Sequence, residues 1–205
     1  MAIYTAATGD EECQRRMDYM VQEMARCQQA NGSGYVGGVP NSREIWEQVS
    51  AGNLRPLRRA WVPWYNMHKT FAGLRDAWIY GQNPQAKEVL IKLSDWCMNL
   101  LADYSDEQMQ SMLDQEHGGM NEILADVSVI TGDKKYLTMA KRFSHRQLLD
   151  PMSQEQDTLD NKHANTQVPK VVGFQRIAEL ETDKIYGKAA RFFWDTVVHH
   201  RTLAF

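Results

Sequence analysis

The chain has 205 residues, 43% of them hydrophobic, and a formal net charge of −3, which suits one domain of ordinary size with a sizeable core. Its 23 basic and 26 acidic residues form no long basic run, which argues against a nucleic-acid partner. No apolar run approaches the roughly 20 residues that cross a bilayer, so no membrane partner is expected, and the opening MAIYTAATGDEEC lacks the order of a secretory signal.

Residues 1–8 read as the tail of a helix. A helix over 11–30 follows, with Cys13, Met17, Met20, Met24 and Cys27 at steps of four and three. The loop NGSGYVGGVP (31–40) has four glycines, which permit unusual backbone angles. It lacks the Lys-Ser/Thr of a phosphate loop. It reads either as a plain connection or as a carrier of Tyr35 into a pocket.

The stretch RPLRRAWVPWYNMHKTFAG (55–73) sets Trp61, Trp64 and Tyr65 ahead of a helix over 65–80 striped by Met67, Phe71, Leu74 and Trp78. Aromatic faces there suit the C–H face of a sugar, and equally suit core packing. Arg58 and Arg59 could bond hydroxyls or an acidic group. A helix over 86–101 carries Val89, Leu93, Trp96 and Leu100. In DQEHGGMNEILADV (114–127), His117 stands just before a helix over 119–131, with Asn121 and Glu122 in its first turn. Glu122 could serve only the positive end of the helix dipole. A helix over 134–148 has Tyr136, Met139 and Phe143. In LDNKHANTQVPKVVGF (159–174), His163, Asn165 and Gln167 lead into a helix over 166–181, and a last helix over 184–199 carries Ile185, Ala189 and Phe192.

No strand-length alternation occurs, so the fold class is all-α. The breaks at Gly9-Asp10, Gly132-Asp133 and Thr182-Asp183, with a looser copy at Gly81-Gln82-Asn83-Pro84, pair a turn residue with an Asp or Asn that caps the next helix. The turns near 81, 132 and 182 lie about fifty residues apart, a period that means stacked helical hairpins. An open solenoid and a closed (α/α)6 toroid both have this construction. The long connections rich in aromatics, Gly and His favour the toroid, with functional loops around a pocket. Eight helical segments, the first partial, fall short of the twelve of a closed toroid. The expectation is one partial barrel domain over 1–205, truncated at both ends. Such a cut would expose apolar helix faces, and self-association follows from it.

His68, His117 and His163 each stand near the start of the first helix of a hairpin. In a toroid these starts gather at one end of the central cavity, and imidazole both donates to and accepts from sugar hydroxyls. Cys13, Cys27 and Cys97 show no metal-binding spacing, so no zinc site is expected within the chain, and the three read as small buried hydrophobes. Cys13 and Cys27, about 21 Å apart on one helix at ~1.5 Å per residue, cannot bridge.

YNMHKTFAGLRDAW, EHGGMNEILADVSVITGDKKYLTMAKRF and HANTQVPKVVGFQRIAELETD resemble the catalytic barrel of glycoside hydrolase family 127, the β-L-arabinofuranosidase-like proteins. The resemblance spans essentially the whole chain, and EHGGMNE and HANTQ are its most specific parts. It implies an (α/α)6 barrel and a retaining glycosidase that removes L-arabinofuranose with a zinc-held cysteine thiolate and a glutamate acid/base. It also implies that His68, His117 and His163 contact the sugar. The substrate-binding candidates are thus His68, His117, His163, Tyr35, Trp64, Glu122, Asn165 and Gln167. The family's acid/base Glu and zinc-binding cysteines follow a segment like HRTLAF (200–205), and none of the three cysteines here lies in the matching motif. No nucleophile, acid/base or metal ligand is therefore assigned, and zinc is expected only in a longer parent protein. The expected partner is an arabinose-containing glycan. A sugar epimerase of the same barrel type and a non-catalytic protein-binding scaffold are the competing readings.

Overall fold

The computed structural model describes residues 1–116 and 118–202. Among these residues there are twelve α-helices and no strand: α1 (Ala2–Thr8), α2 (Glu11–Asn31), α3 (Ser42–Ser50), α4 (Arg55–Arg59), α5 (Pro63–Ile79), α6 (Pro84–Leu100), α7 (Asp106–Gln115), α8 (Met120–Thr131), α9 (Lys134–Arg142), α10 (Arg146–Ser153), α11 (Ala164–Glu181) and α12 (Lys184–Thr196). A π-helical turn, Val197–Arg201, continues α12. The chain forms two compact units, Met1–Asp103 and Tyr104–Phe205.

The first unit contains the hairpins α1–α2 and α5–α6. Their first helices pack on each other, as do their second helices. The second unit contains α8–α9 and α11–α12, in which α8 packs on α11, and α10 packs on α12. The fold is all-α and built of helical hairpins of the toroid type.

The expected punctuation is present. The Asp10, Asp133 and Asp183 carboxylates accept from the amides of Cys13 (2.7 Å), Lys135 (2.9 Å) and Ile185 (2.9 Å), and Asn83 accepts from Ala86 at 3.1 Å. Each bond satisfies an amide that the first turn of a helix leaves without a partner. Gly132 ends α8 at φ 76°, in the left-handed region that glycine enters without strain. Thr182 holds the corresponding place after α11 at φ 56° although it is β-branched.

Three differences from the sequence reading bear on the site. Short helices α3, α4 and α7 occupy what read as loops; α7 starts on a capping box in which Ser105 and Gln108 bond each other's backbone amides. The expected helix over 134–148 is two helices, broken at Phe143, Ser144 and His145, with α10 running on to Ser153. The buried face of α2 is Met17, Val21 and Gln28 rather than the Met and Cys stripe; Met20 and Cys27 are exposed. The Gln28 amide donates to the carbonyls of Gly34 (2.7 Å) and Val89 (3.0 Å), which lets a polar side chain sit in the core.

Candidate functional site

In the first unit, residues 31–40 lie tightly against the helices. A Cβ on Gly34 would fall 2.7 Å from the Lys92 carbonyl oxygen, and one on Gly37 would fall 2.8 Å from the Met67 sulfur. The glycines serve this close approach. The loop carries Tyr35 into an aromatic cluster: ring centroids lie 4.8 Å apart for Tyr35 and Trp96, 5.3 Å for Trp46 and Trp96, and 4.9 Å for Trp46 and Trp64. Tyr35 and Trp46 also line a surface cleft rimmed by Ser33, Arg43 and Glu47. Trp64 is 0% exposed, so its faces are spent on packing.

Within residues 55–73, Trp61 is the most exposed aromatic. It is 89% exposed and stands two residues before α5, next to Val62, whose φ of 41° strains a β-branched residue. It borders a cleft with Met20, Tyr65, Asn66 and Lys69. His68 lies in α5 and is 5% exposed. Burial first, then the charges of Lys69 and Arg75, bring its pKa down to about 4. The ring is neutral at neutral pH and can donate and accept at once.

In the second unit, α8 and α11 supply the candidates. Glu122, in the first turn of α8, is half-buried and borders a groove along α11 and α12 with Val168, Val172, Arg176 and Trp194. His163 is the residue before α11; it and Asn165 are exposed, and Gln167 is half-buried. The segment is internally bonded: Gln167 Nε2 donates to Thr166 Oγ1 (2.7 Å), which donates to the His163 carbonyl (2.7 Å). Behind it, Arg201 bonds Asp157 and Asp160, each at 2.8 Å, tying the end of the π turn to the loop that leads into His163. His117 lies outside the described residues, as do residues 203–205 of HRTLAF.

Sequence reasoning missed one feature of this unit, a buried polar chain through His145 and Lys170. Lys170 takes the place of a core residue in the stripe Gln167, Lys170, Phe174 and Ile177, and that misfit was its signal.

The chain matches the family model for β-L-arabinofuranosidase, GH127 catalytic domain, over residues 1–205. It belongs to that family. Among curated proteins nothing matches it. GH127 membership makes the protein a glycoside hydrolase of the arabinofuranosidase type with a carbohydrate substrate.

The zinc-thiolate that the GH127 resemblance implies does not fit the cysteines present. Cys97 is wholly buried, and burial pushes its thiol pKa up strongly, against thiolate formation. Cys13 is half-buried, and its pKa is raised by burial and by Asp10. Cys27 is exposed on α2, so the reading of all three as buried hydrophobes holds only for Cys97. Among the described residues no three His, Cys, Asp or Glu side chains converge as a metal would need.

Proposed function

We propose that this GH127 chain binds an L-arabinofuranoside or a similar plant-polysaccharide sugar, with His68 the candidate contact of the first unit and the segment His163–Gln167 that of the second, each taken within its own unit. Tyr35, Glu122 and Asn165 are further contacts, and His117 belongs to the same set by its place in EHGGMNE. The observation that carries this reading is the family match over the full 205 residues. Two features support it: a neutral buried His68 and a pre-ordered polar segment at the start of α11. Trp61, with its exposed faces, is the better stacking surface in this region than the buried Trp64.

We propose further that the polypeptide does not itself cleave the glycosidic bond. Retention needs a nucleophile and an acid/base on opposite sides of that bond; burial holds the Cys97 thiol, and burial with Asp10 the Cys13 thiol, away from thiolate formation, and Cys27 stands exposed on α2.

The test is direct. Saturation-transfer NMR with methyl β-L-arabinofuranoside is expected to show contact, weakened roughly tenfold by Trp61→Ala, about the scale of one lost aromatic contact with its buried area. Purified chain is expected to release no aglycone from an aryl β-L-arabinofuranoside. Turnover clearly above the blank overturns the inactivity, and absence of any sugar contact overturns the binding.

A further inference from the structure

His145 and Lys170 lie 4% and 5% exposed inside the second unit, and they are bonded to each other. Asp114, at the end of α7, is half exposed, and its Oδ1 lies 2.7 Å from His145 Nε2. A carboxylate accepts only, so Nε2 carries the hydrogen and Nδ1 is left as an acceptor. Lys170 Nζ donates to that Nδ1 at 3.0 Å and to Gln167 Oε1 at 3.0 Å. Gln167 in turn donates to Thr166, and Thr166 to the His163 carbonyl. An unbroken chain of hydrogen bonds, in which Lys170 donates both ways, therefore links a surface carboxylate through two buried side chains to His163–Gln167. The backbone at Lys170 is fixed as well: its carbonyl accepts from Asn121 Nδ2 of α8 at 2.8 Å.

We propose that Lys170, held by the Asp114–His145 pair, is a positioning residue that fixes the Gln167 amide for a sugar hydroxyl. This rests on the reading of His163–Gln167 as part of the sugar site. Packing gives no reason for an ammonium here, because burying one is costly and an apolar side chain would fill the stripe of α11 more cheaply. The cost is visible in Lys170 itself, whose pKa burial and the charge of Lys162 bring down to about 8, against the opposing pull of Asp114. What the ammonium supplies is two aimed hydrogen bonds. With its carbonyl engaged by Lys170 and one N–H by Thr166, Gln167 keeps its second N–H in a set direction.

The chain also has a definite response to acid. It conducts its hydrogen bonds only while one of the facing nitrogens, Nδ1 of His145 or Nζ of Lys170, has a lone pair for the other. A second proton on the pair makes both donors and parts them, which frees Gln167. The charged groups acting on His145 are Lys170 of α11, Asp114 of α7 and Lys162 of the connecting loop; from α12, Tyr186 bonds the neighbouring Ser144. Burial and Lys170 lower the His145 pKa, and Asp114 raises it. Removing the Asp114 charge must then move the acid transition to lower pH, an effect that a packing role for Lys170 does not produce.

The experiment is a pH series of methyl β-L-arabinofuranoside binding to the full chain, followed by NMR titration, for the wild type, Lys170→Met and Asp114→Asn. The expected result is wild-type binding that weakens as the solution is acidified, Lys170→Met at least about tenfold weaker at pH 7, and an acid limb shifted downward by roughly half a unit or more in Asp114→Asn. If wild type binds and Lys170→Met binds equally well, or the Asp114→Asn limb does not move, the positioning role is wrong and the sugar site stands. If wild type binds at no pH, the sugar site itself is wrong and the positioning role goes with it. Should Lys170→Met fail to fold by circular dichroism, the Asp114→Asn limb decides alone.

Discussion

At the scale of single residues, burial sets the behaviour of His68. Its imidazole takes a proton near 6.5 in the unfolded chain and only at about 4 in the folded one. Between these values the unfolded state binds more protons, so stability is retained above pH 6.5 and falls as pH drops toward 4. The full shift corresponds to on the order of 3 kcal/mol. Urea unfolding at pH 7 and pH 4.5 should show this loss in wild type and a shallower pH slope in His68→Gln. An unchanged slope would place the His68 ring in contact with solvent.

Gly173 has a different constraint. A Cβ there would meet the Asn121 side chain at 2.2 Å, and Asn121 is the residue that bonds the Lys170 carbonyl. Gly→Ala within a helix ordinarily gains up to about 1 kcal/mol. Here overpacking at the α8–α11 contact should win, with a net destabilisation of about 1–3 kcal/mol. Gly173→Ala combined with Asn121→Ala removes the clash, and the pair should be less destabilised than the sum of the singles. Thermal or urea midpoints of the four proteins check this.

At the scale of elements, the hairpins were legible because their ends carry their own chemistry. Asp10, Asp133 and Asp183 accept from first-turn amides whatever surrounds them, so local sequence was sufficient. The break between α9 and α10 was not legible. Tyr136, Met139 and Phe143 carry a helical stripe right up to it without a stop signal, and at the break His145 is bonded inward to Asp114 and Lys170, partners from distant parts of the sequence. The buried face of α2 was misjudged for a similar reason: Gln28 reads as polar surface until its acceptors on Gly34 and Val89 are known. The exposed candidates show the converse. His163 and Asn165, singled out by their polarity at the start of a hairpin, are exposed, while Trp64, the aromatic candidate of the first unit, is core.

The repeat itself yields a prediction at this scale. Gly132 ends one first helix in the left-handed region, and Thr182 ends the next in the same region with a β-branched side chain. That conformation costs an L-residue roughly 1–2 kcal/mol relative to glycine. Thr182→Gly should therefore raise the stability of the second unit by about 1 kcal/mol, after the extra chain entropy of glycine is set against the relieved strain. A lower unfolding midpoint in the variant would show that the Thr182 side chain holds compensating contacts.

For the whole molecule, no helix among the described residues is long and apolar enough to cross a membrane. Large apolar side chains are nevertheless exposed in each unit: Ile3, Tyr4, Tyr19 and Met20 on α1 and α2, and Val168, Val172, Ile185 and Trp194 on α11 and α12. Apolar surface left exposed on a helix face is a common site of protein contact. We propose that copies of the chain associate through these side chains, so that light scattering at rising concentration should show mass above 23.6 kDa. A constant monomer mass over that range removes the proposal.

The division into two units gives the molecule an optical asymmetry. Five of the six tryptophans precede residue 104, and Trp194, 61% exposed beside the α11–α12 groove, is alone in the second unit. The difference in fluorescence between wild type and Trp194→Phe is thus the emission of the second unit by itself. It reports on the groove that Glu122 borders, and it lets each unit's response be followed without a label.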